Sequence, residues 1–214
     1  MKIIMRICII LITFSCLLRI GSCETSDDLI QKWNDWRAFW HDEEKWDGST
    51  YEVSIPEDPN FWWREPDKKR ENLYSTAYTC NTPSNYYAVV DGVLFSADMR
   101  TLYKYPPMKP GWYYLVPSTV ECIEAEAFMD NYYLQEVIVC DSTKYINEGA
   151  FSRSRIKRLH IPESVISFDL ESITKMILLE ELIVEEGSTC WKELKCAEDS
   201  DYTDFFSRKI VHAY

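Results

Sequence analysis

Between residues 134 and 184 three stretches share one spacing of apolar positions: Leu134-x-x-Val137-x-Val139, Ile156-x-x-Leu159-x-Ile161 and Leu179-x-x-Leu182-x-Val184. The register steps are 22 residues (134 to 156) and 23 residues (156 to 179). A second pattern runs between them. Pro117, Val120, Ile123, Ala127 and Phe128 recur as Cys140, Thr143, Ile146, Ala150 and Phe151, and more loosely as Pro162, Val165, Phe168, Ser172 and Ile173. Each unit therefore predicts a short strand with alternate apolar residues facing inward, followed by a return through a second apolar layer. One unit cannot bury its own apolar face, so neighbours must stack. Val137, Val139, Leu159, Ile161, Leu182 and Val184 are expected inside consecutive parallel strands. Ala127-Phe128 and Ala150-Phe151 are expected to fill the opposite wall.

A period of 20–29 residues with an L-x-x-L-x-L core describes a leucine-rich solenoid. At Val116-Pro117-Ser118-Thr119-Val120 through Ala127-Phe128, at Ile146 and Ala150-Phe151, and at Ile161-Pro162-Glu163-Ser164-Val165, the sequence resembles the BspA-like leucine-rich-repeat surface proteins. Tyr87 to Phe95 with Leu102 to Pro106 is similar to that family's opening unit. Leu182 to Ser188, then Trp191, Phe205-Phe206 and Ile210-Val211, is similar to its closing unit. The resemblance covers residues 86–211 and implies a complete short solenoid whose role is binding or adhesion. Cys140 and Glu185 stand where the family pattern has proline, and Phe168 to Ile173 departs from its Ala-Phe element, so distortion is expected in the third unit. The expected fold class is a mixed α+β, mostly β repeat: a short leucine-rich-repeat solenoid with stacked parallel strands, preceded by an N-terminal helix and loop region.

Residues 23–85 show no repeat. Leu29, Trp33, Trp36 and Trp40 form one apolar stripe at helical spacing, behind a capping Ser26-Asp27-Asp28, and predict an amphipathic helix to about Lys45. Residues 51–85 read as loop with a strand at Tyr51–Ile55. The tryptophan stripe reads as a cap over one end of the solenoid. Trp62-Trp63, in the loop, offer the alternative of a glycan-stacking platform.

Residues 1–22 read as a signal peptide, with Lys2 and Arg6 ahead of an apolar run from Ile7 to Leu18 that is short for a bilayer span. Ile20-Gly21-Ser22-Cys23 resembles a bacterial lipobox, which implies lipidation of Cys23. Ordinary cleavage nearby and a retained anchor are the other two readings. The chain is thus expected to be extracellular or on the cell surface, touching membrane only through a lipid anchor. Residues 212–214 form a tail.

Charge and chemistry narrow the role further. The 214-residue chain carries 23 Lys+Arg against 35 Asp+Glu, a formal charge of −12. Removing Lys2, Arg6 and Arg19 with the signal leaves 20 basic residues and −15. Such a chain disfavours nucleic acid. Its six glycines form no phosphate-cradling cluster. The three histidines, His41, His160 and His212, lie in no catalytic or metal-binding motif, and the five cysteines beyond Cys23, namely Cys80, Cys122, Cys140, Cys190 and Cys196, form no complete disulfide framework. No enzyme activity, cofactor or metal is expected.

In the strand register, Lys157 lies beside Gln135 and Glu180, and Arg158 between Glu136 and Glu181. Arg153, Arg155, Lys157, Arg158 and His160 form the one basic cluster, which reads either as a site for sulfated glycans or another acidic partner or as neutralised by these lateral charges. The second is expected for Lys157 and Arg158, leaving the two turn arginines unpaired. The residue between the last two apolar positions points outward, which defines the column Leu115, Ile138, His160 and Ile183. With Trp112 and Tyr113 beside it, this column is the expected protein-partner site. The competing expectation is that the N-terminal segment folds over it.

Overall fold

The recurring apolar spacing is realised as a chain that winds back and forth between two sheets. A computed structural model describes residues 50–58, 72–80, 83–176, 178–198 and 210–213, all within one compact unit, Lys45–Tyr214. Before the repeats come β1 (Tyr51–Ile55), β2 (Ser75–Cys80), β3 (Tyr87–Val90), β4 (Val93–Ser96) and β5 (Thr101–Lys104). The winding part contains β6 (Tyr113–Leu115), β7 (Cys122–Ile123), β8 (Glu136–Ile138), β9 (Tyr145–Ile146), β10 (Arg158–Ile161), β11 (Ser167–Phe168), the short helix α1 (Glu171–Thr174) and β12 (Glu181–Val184). Helix α2 (Thr189–Glu198) and β13 (Ile210–Ala213) follow.

One sheet has the order β13-β12-β10-β8-β6, and every pair in it is parallel. The other has the order β11-β9-β7-β5-β4-β3. It is parallel from β5 through β7 and β9 to β11 and antiparallel at β5-β4 and β4-β3. From β5 to β12 successive strands alternate between the sheets, so each turn of the solenoid gives one strand to each wall. No helix among the described residues is long and apolar enough to cross a membrane.

The core follows the period. Val137, Leu159 and Leu182 are at most 1% exposed, and Val139, Ile161 and Val184 at most 3%. Ala127, Phe128, Ala150 and Phe151 are fully buried. Because equivalent residues fall at equal heights in successive turns, the rings line up. Tyr105 stacks on Phe128 at 5.5 Å and Phe128 on Phe151 at 5.1 Å between centroids.

The departures from the repeat pattern are absorbed by hydrogen bonds. The Cys140 thiol donates to Pro117 O (3.1 Å) and the Thr143 hydroxyl to Val120 O (3.0 Å). In the third unit the expected distortion takes the form of helix α1, yet Ser172 and Ile173 still fill the Ala-Phe places with no exposure. The Ser172 hydroxyl is satisfied by Asn147 O at 2.8 Å, which removes the cost of burying it.

Upstream, the strand expected at Tyr51–Ile55 is present as β1. The reading of residues 75–80 as loop is corrected: they form β2, parallel to β1. These two strands join the repeat region's unit through a small core of Ile55, Tyr78, Tyr87 and Leu94. The β3-β4 hairpin turns at Asp91-Gly92 with both φ values positive (+49° and +71°), as a two-residue turn of the primed kind requires. Gly92 O accepts from Tyr78 N at 2.8 Å, and a Cβ on Gly92 would stand 2.8 Å from Ala77 Cβ. Only glycine permits that approach. The predicted helix over 26–45, with Trp33, Trp36 and Trp40, lies outside the described residues. So do Cys23 and the Trp62-Trp63 pair.

Candidate partner-binding surface

The outward columns of the five-stranded sheet stand in the expected register. Leu115 pairs with Ile138, Ile138 with His160 and His160 with Ile183, while Tyr113, Glu136, Arg158 and Glu181 run alongside. Exposure along the apolar column is uneven, however. Leu115 on the outer strand is 54% exposed, and Ile138 and His160 are half-buried. Ile183 is only 7% exposed. It sits between two paired strands, β10 and β13, not at a sheet edge. The site expectation is corrected on this point: Ile183 is not an accessible binding residue, and the open part of the column lies at the β6 end. There Trp112 is 61% and Tyr113 41% exposed, with their rings tilted against each other at 5.6 Å.

The charges beside this column are held in place. The Glu136 carboxylate accepts from Arg158 Nη2 at 2.8 Å and lies 3.1 Å from His160 Nε2. Lys157 reaches Glu180 at 2.9 Å. Sheet register thus places these partners as the sequence indicates. The two turn arginines are a correction, since neither is unpaired. Arg153 makes a two-pronged bond to Asp130, Nε to Oδ1 at 3.0 Å and Nη2 to Oδ2 at 2.7 Å, with the Asp130 side chain only 3% exposed. Arg155 lies over the Tyr132 ring at 4.1 Å. The step from Asp130 to Arg153 is 23 residues, one turn of the solenoid, so the period used for the strands also carries this pair. Tyr133 is a surface aromatic that the column argument missed. It is 43% exposed and packs edge-to-face on Tyr132 at 5.0 Å. It lies two residues before Gln135, whose N–H donates to Trp112 O at 2.8 Å.

Little else in the described residues offers chemistry. The five described cysteines are free. Burial, reinforced by Glu124, pushes the Cys122 thiol up to about 11, and burial with Glu193 pushes Cys190 up to about 12. Raised thiols hold little thiolate at neutral pH and are poor nucleophiles. No group of three His, Cys, Asp or Glu side chains among the described residues is arranged to hold a metal ion. An open depression where the chain leaves β9 and β11 is lined in part by Glu148, Asp169 and Glu171, with no histidine or cysteine in its lining.

Comparisons with known proteins bear on the repeat. A family model described as a BspA type Leucine rich repeat region matches residues 113–198 in 6 copies. The match starts at β6, leaving β1–β5 outside it. Three solved structures are similar. A leucine-rich repeat protein from Eubacterium ventriosum is 22% identical over 54% of this chain and 31% of its own, with a TM-score of 0.49. The pneumococcal vaccine antigen PcpA is 22% identical over 51% of this chain and 33% of its own, with a TM-score of 0.45. A leucine rich cell surface protein from Faecalibacterium prausnitzii is 18% identical over 66% of this chain and 49% of its own, with a TM-score of 0.42. The chain therefore spans 31–49% of the length of these structures. A search of the curated proteins gave no match. The winding between two sheets, the 22- and 23-residue steps and the family match agree: over residues 113–198 the chain is a BspA-type leucine-rich repeat region.

Proposed function

We propose that the chain is an exported surface protein, lipid-anchored at Cys23, that binds a protein partner on a host cell, in a matrix or on a neighbouring cell and performs no catalysis. One observation carries this reading: Trp112, Tyr113 and Leu115 stand open together at the β6 end of the sheet, next to charges already satisfied by one another. Aromatic side chains flanked by settled polar groups are the usual make-up of a binding hot spot, because their burial releases much surface for little lost side-chain freedom. Ile138 and His160 continue the surface inward.

The test uses purified protein against immobilised extracellular-matrix proteins and intact host cells. The double variant Trp112→Ala with Ile138→Asp should bind roughly 30-fold more weakly, about 2 kcal/mol, with an unchanged melting transition. Undiminished binding would move the site elsewhere. Mass spectrometry of the exported protein should find Cys23 acylated at the N-terminus. An unmodified terminus at another residue would remove the anchor.

A further inference from the structure

β6 is the outer strand of the five-stranded sheet and pairs, among the described residues, with β8 alone. Glu136 N donates to Trp112 O at 2.9 Å, and Val116 N donates to Ile138 O at 2.9 Å. In a parallel pair the residues of one strand that bond to the neighbour alternate. Residues 112, 114 and 116 therefore turn their peptide groups toward β8. The N–H and C=O groups of Tyr113 and Leu115 point away from β8, to an edge that no described strand pairs.

Natural edge strands are usually blunted by charged side chains or bulges. This one is not. Residues 110–120 carry no charged side chain, in a chain that is 27% charged. A second copy can therefore approach this edge without setting like charges against each other along the strand, despite a net charge of −12.

We propose that β6 pairs with β6 of a second copy of this chain, antiparallel, about a two-fold axis at Tyr114. That register sets Tyr113 opposite Leu115 of the second copy and Leu115 opposite its Tyr113. Both residues have their peptide groups on the open edge, so each becomes a hydrogen-bonded pair, and the two pairs together exchange four backbone hydrogen bonds. The Tyr113 and Leu115 side chains, both exposed in the single copy, become cross-strand aromatic–aliphatic neighbours. The contact is isologous and closes at two copies. The two sheets become continuous, and their outward faces lie side by side. The opposite edge, β13, follows Arg208-Lys209 in sequence and finds no acid between residues 110 and 120 to complement it, which disfavours head-to-tail pairing.

Sedimentation equilibrium of the purified protein tests this. The average mass should rise with concentration from one copy to two and no further, and added salt should shift the rise to lower concentration by screening the net charge. Leu115→Pro removes an N–H that β8 does not use, a substitution that edge strands tolerate. It should hold the mass at one copy while the melting transition is kept. Two charge variants cover the case in which proline disturbs the fold. Tyr113→Lys with Leu115→Lys, and Tyr113→Glu with Leu115→Glu, should each stay single and should pair when mixed. A wild-type mass of one copy throughout, masses beyond two copies, or a mixture of the charge variants that stays single would overturn the proposal. The partner reading shares Tyr113 and Leu115 with this contact but is told apart from it by Trp112→Ala with Ile138→Asp, which should weaken partner binding and leave self-association intact.

Discussion

The repeat region and the strands that precede it reach burial by different means. In residues 113–184 each turn is nearly redundant with the next. Phe128 and Phe151 meet because they occupy the same place one turn apart, and the same holds for Val137 and Leu159 across the sheet. Each contact is thus specified by a spacing that recurs. The segment from β1 to β4 has no such redundancy. Its core rests on four buried residues, Ile55, Tyr78, Tyr87 and Leu94, brought together by one hairpin and by a parallel pairing between stretches more than twenty residues apart. Repetition spreads stability over many equivalent contacts, whereas the opening segment depends on single positions. In a stacked array each unit is held by its neighbours, so removing a central ring should be felt on both sides.

The largest expected effect tests that claim. Phe151→Ala empties a fully buried site, removes the ring stacked on Phe128, and should cost about 3–5 kcal/mol in denaturant unfolding. A cost below about 1 kcal/mol would mean that the turns do not share one core. Next in size is Gly92→Ala. The new Cβ would meet Ala77 Cβ at 2.8 Å with the backbone at φ +71°, so strain and overlap together should cost about 2 kcal/mol. Native-state hydrogen exchange should then show faster exchange at Tyr78, whose N–H bonds to Gly92 O, and little change at Val137 or Leu159. Equal loosening of both regions would show that they unfold as one unit and that the comparison has no energetic content.

The same difference explains how much was legible in the sequence. The sheet register around Arg158, the burial of Phe128 and Phe151 and the outward column all followed from the period, because one offset observed three times constrains all copies at once. β2 did not. Ser75 to Cys80 pairs with β1, more than twenty residues away, and bonds to the Gly92 turn. Thr76, Tyr78 and Thr79 favour a strand, but its burial follows no period-2 alternation that would mark it. The Asp130–Arg153 pair obeys the same 23-residue step, but it joins two turns, where no strand alternation marks which side chains meet. Ile183 fails for a third reason. Pattern assigns its side of the strand correctly, whereas its exposure depends on what surrounds it in the folded chain. Apolar character alone does not separate it from Leu115.

The smallest expected effect asks whether charges or apolar residues hold the strands in register. Lys157 and Glu180 meet at 2.9 Å, but their side chains are 38% and 64% exposed. Water screens such a pair, and fixing two long side chains offsets part of the attraction. Lys157→Ala should therefore change stability by less than about 0.5 kcal/mol, and a double-mutant cycle with Glu180→Ala should give a coupling of similar size. Arg158 and Glu136 should couple somewhat more strongly, because the Glu136 side chain is only 13% exposed and also faces His160. A coupling above about 1.5 kcal/mol at the Lys157–Glu180 pair would reverse the order of causes. The charge ladder would then align the strands, with the apolar core filling in behind it, and Phe151→Ala would have to be reinterpreted as a loss of packing that leaves the register unchanged.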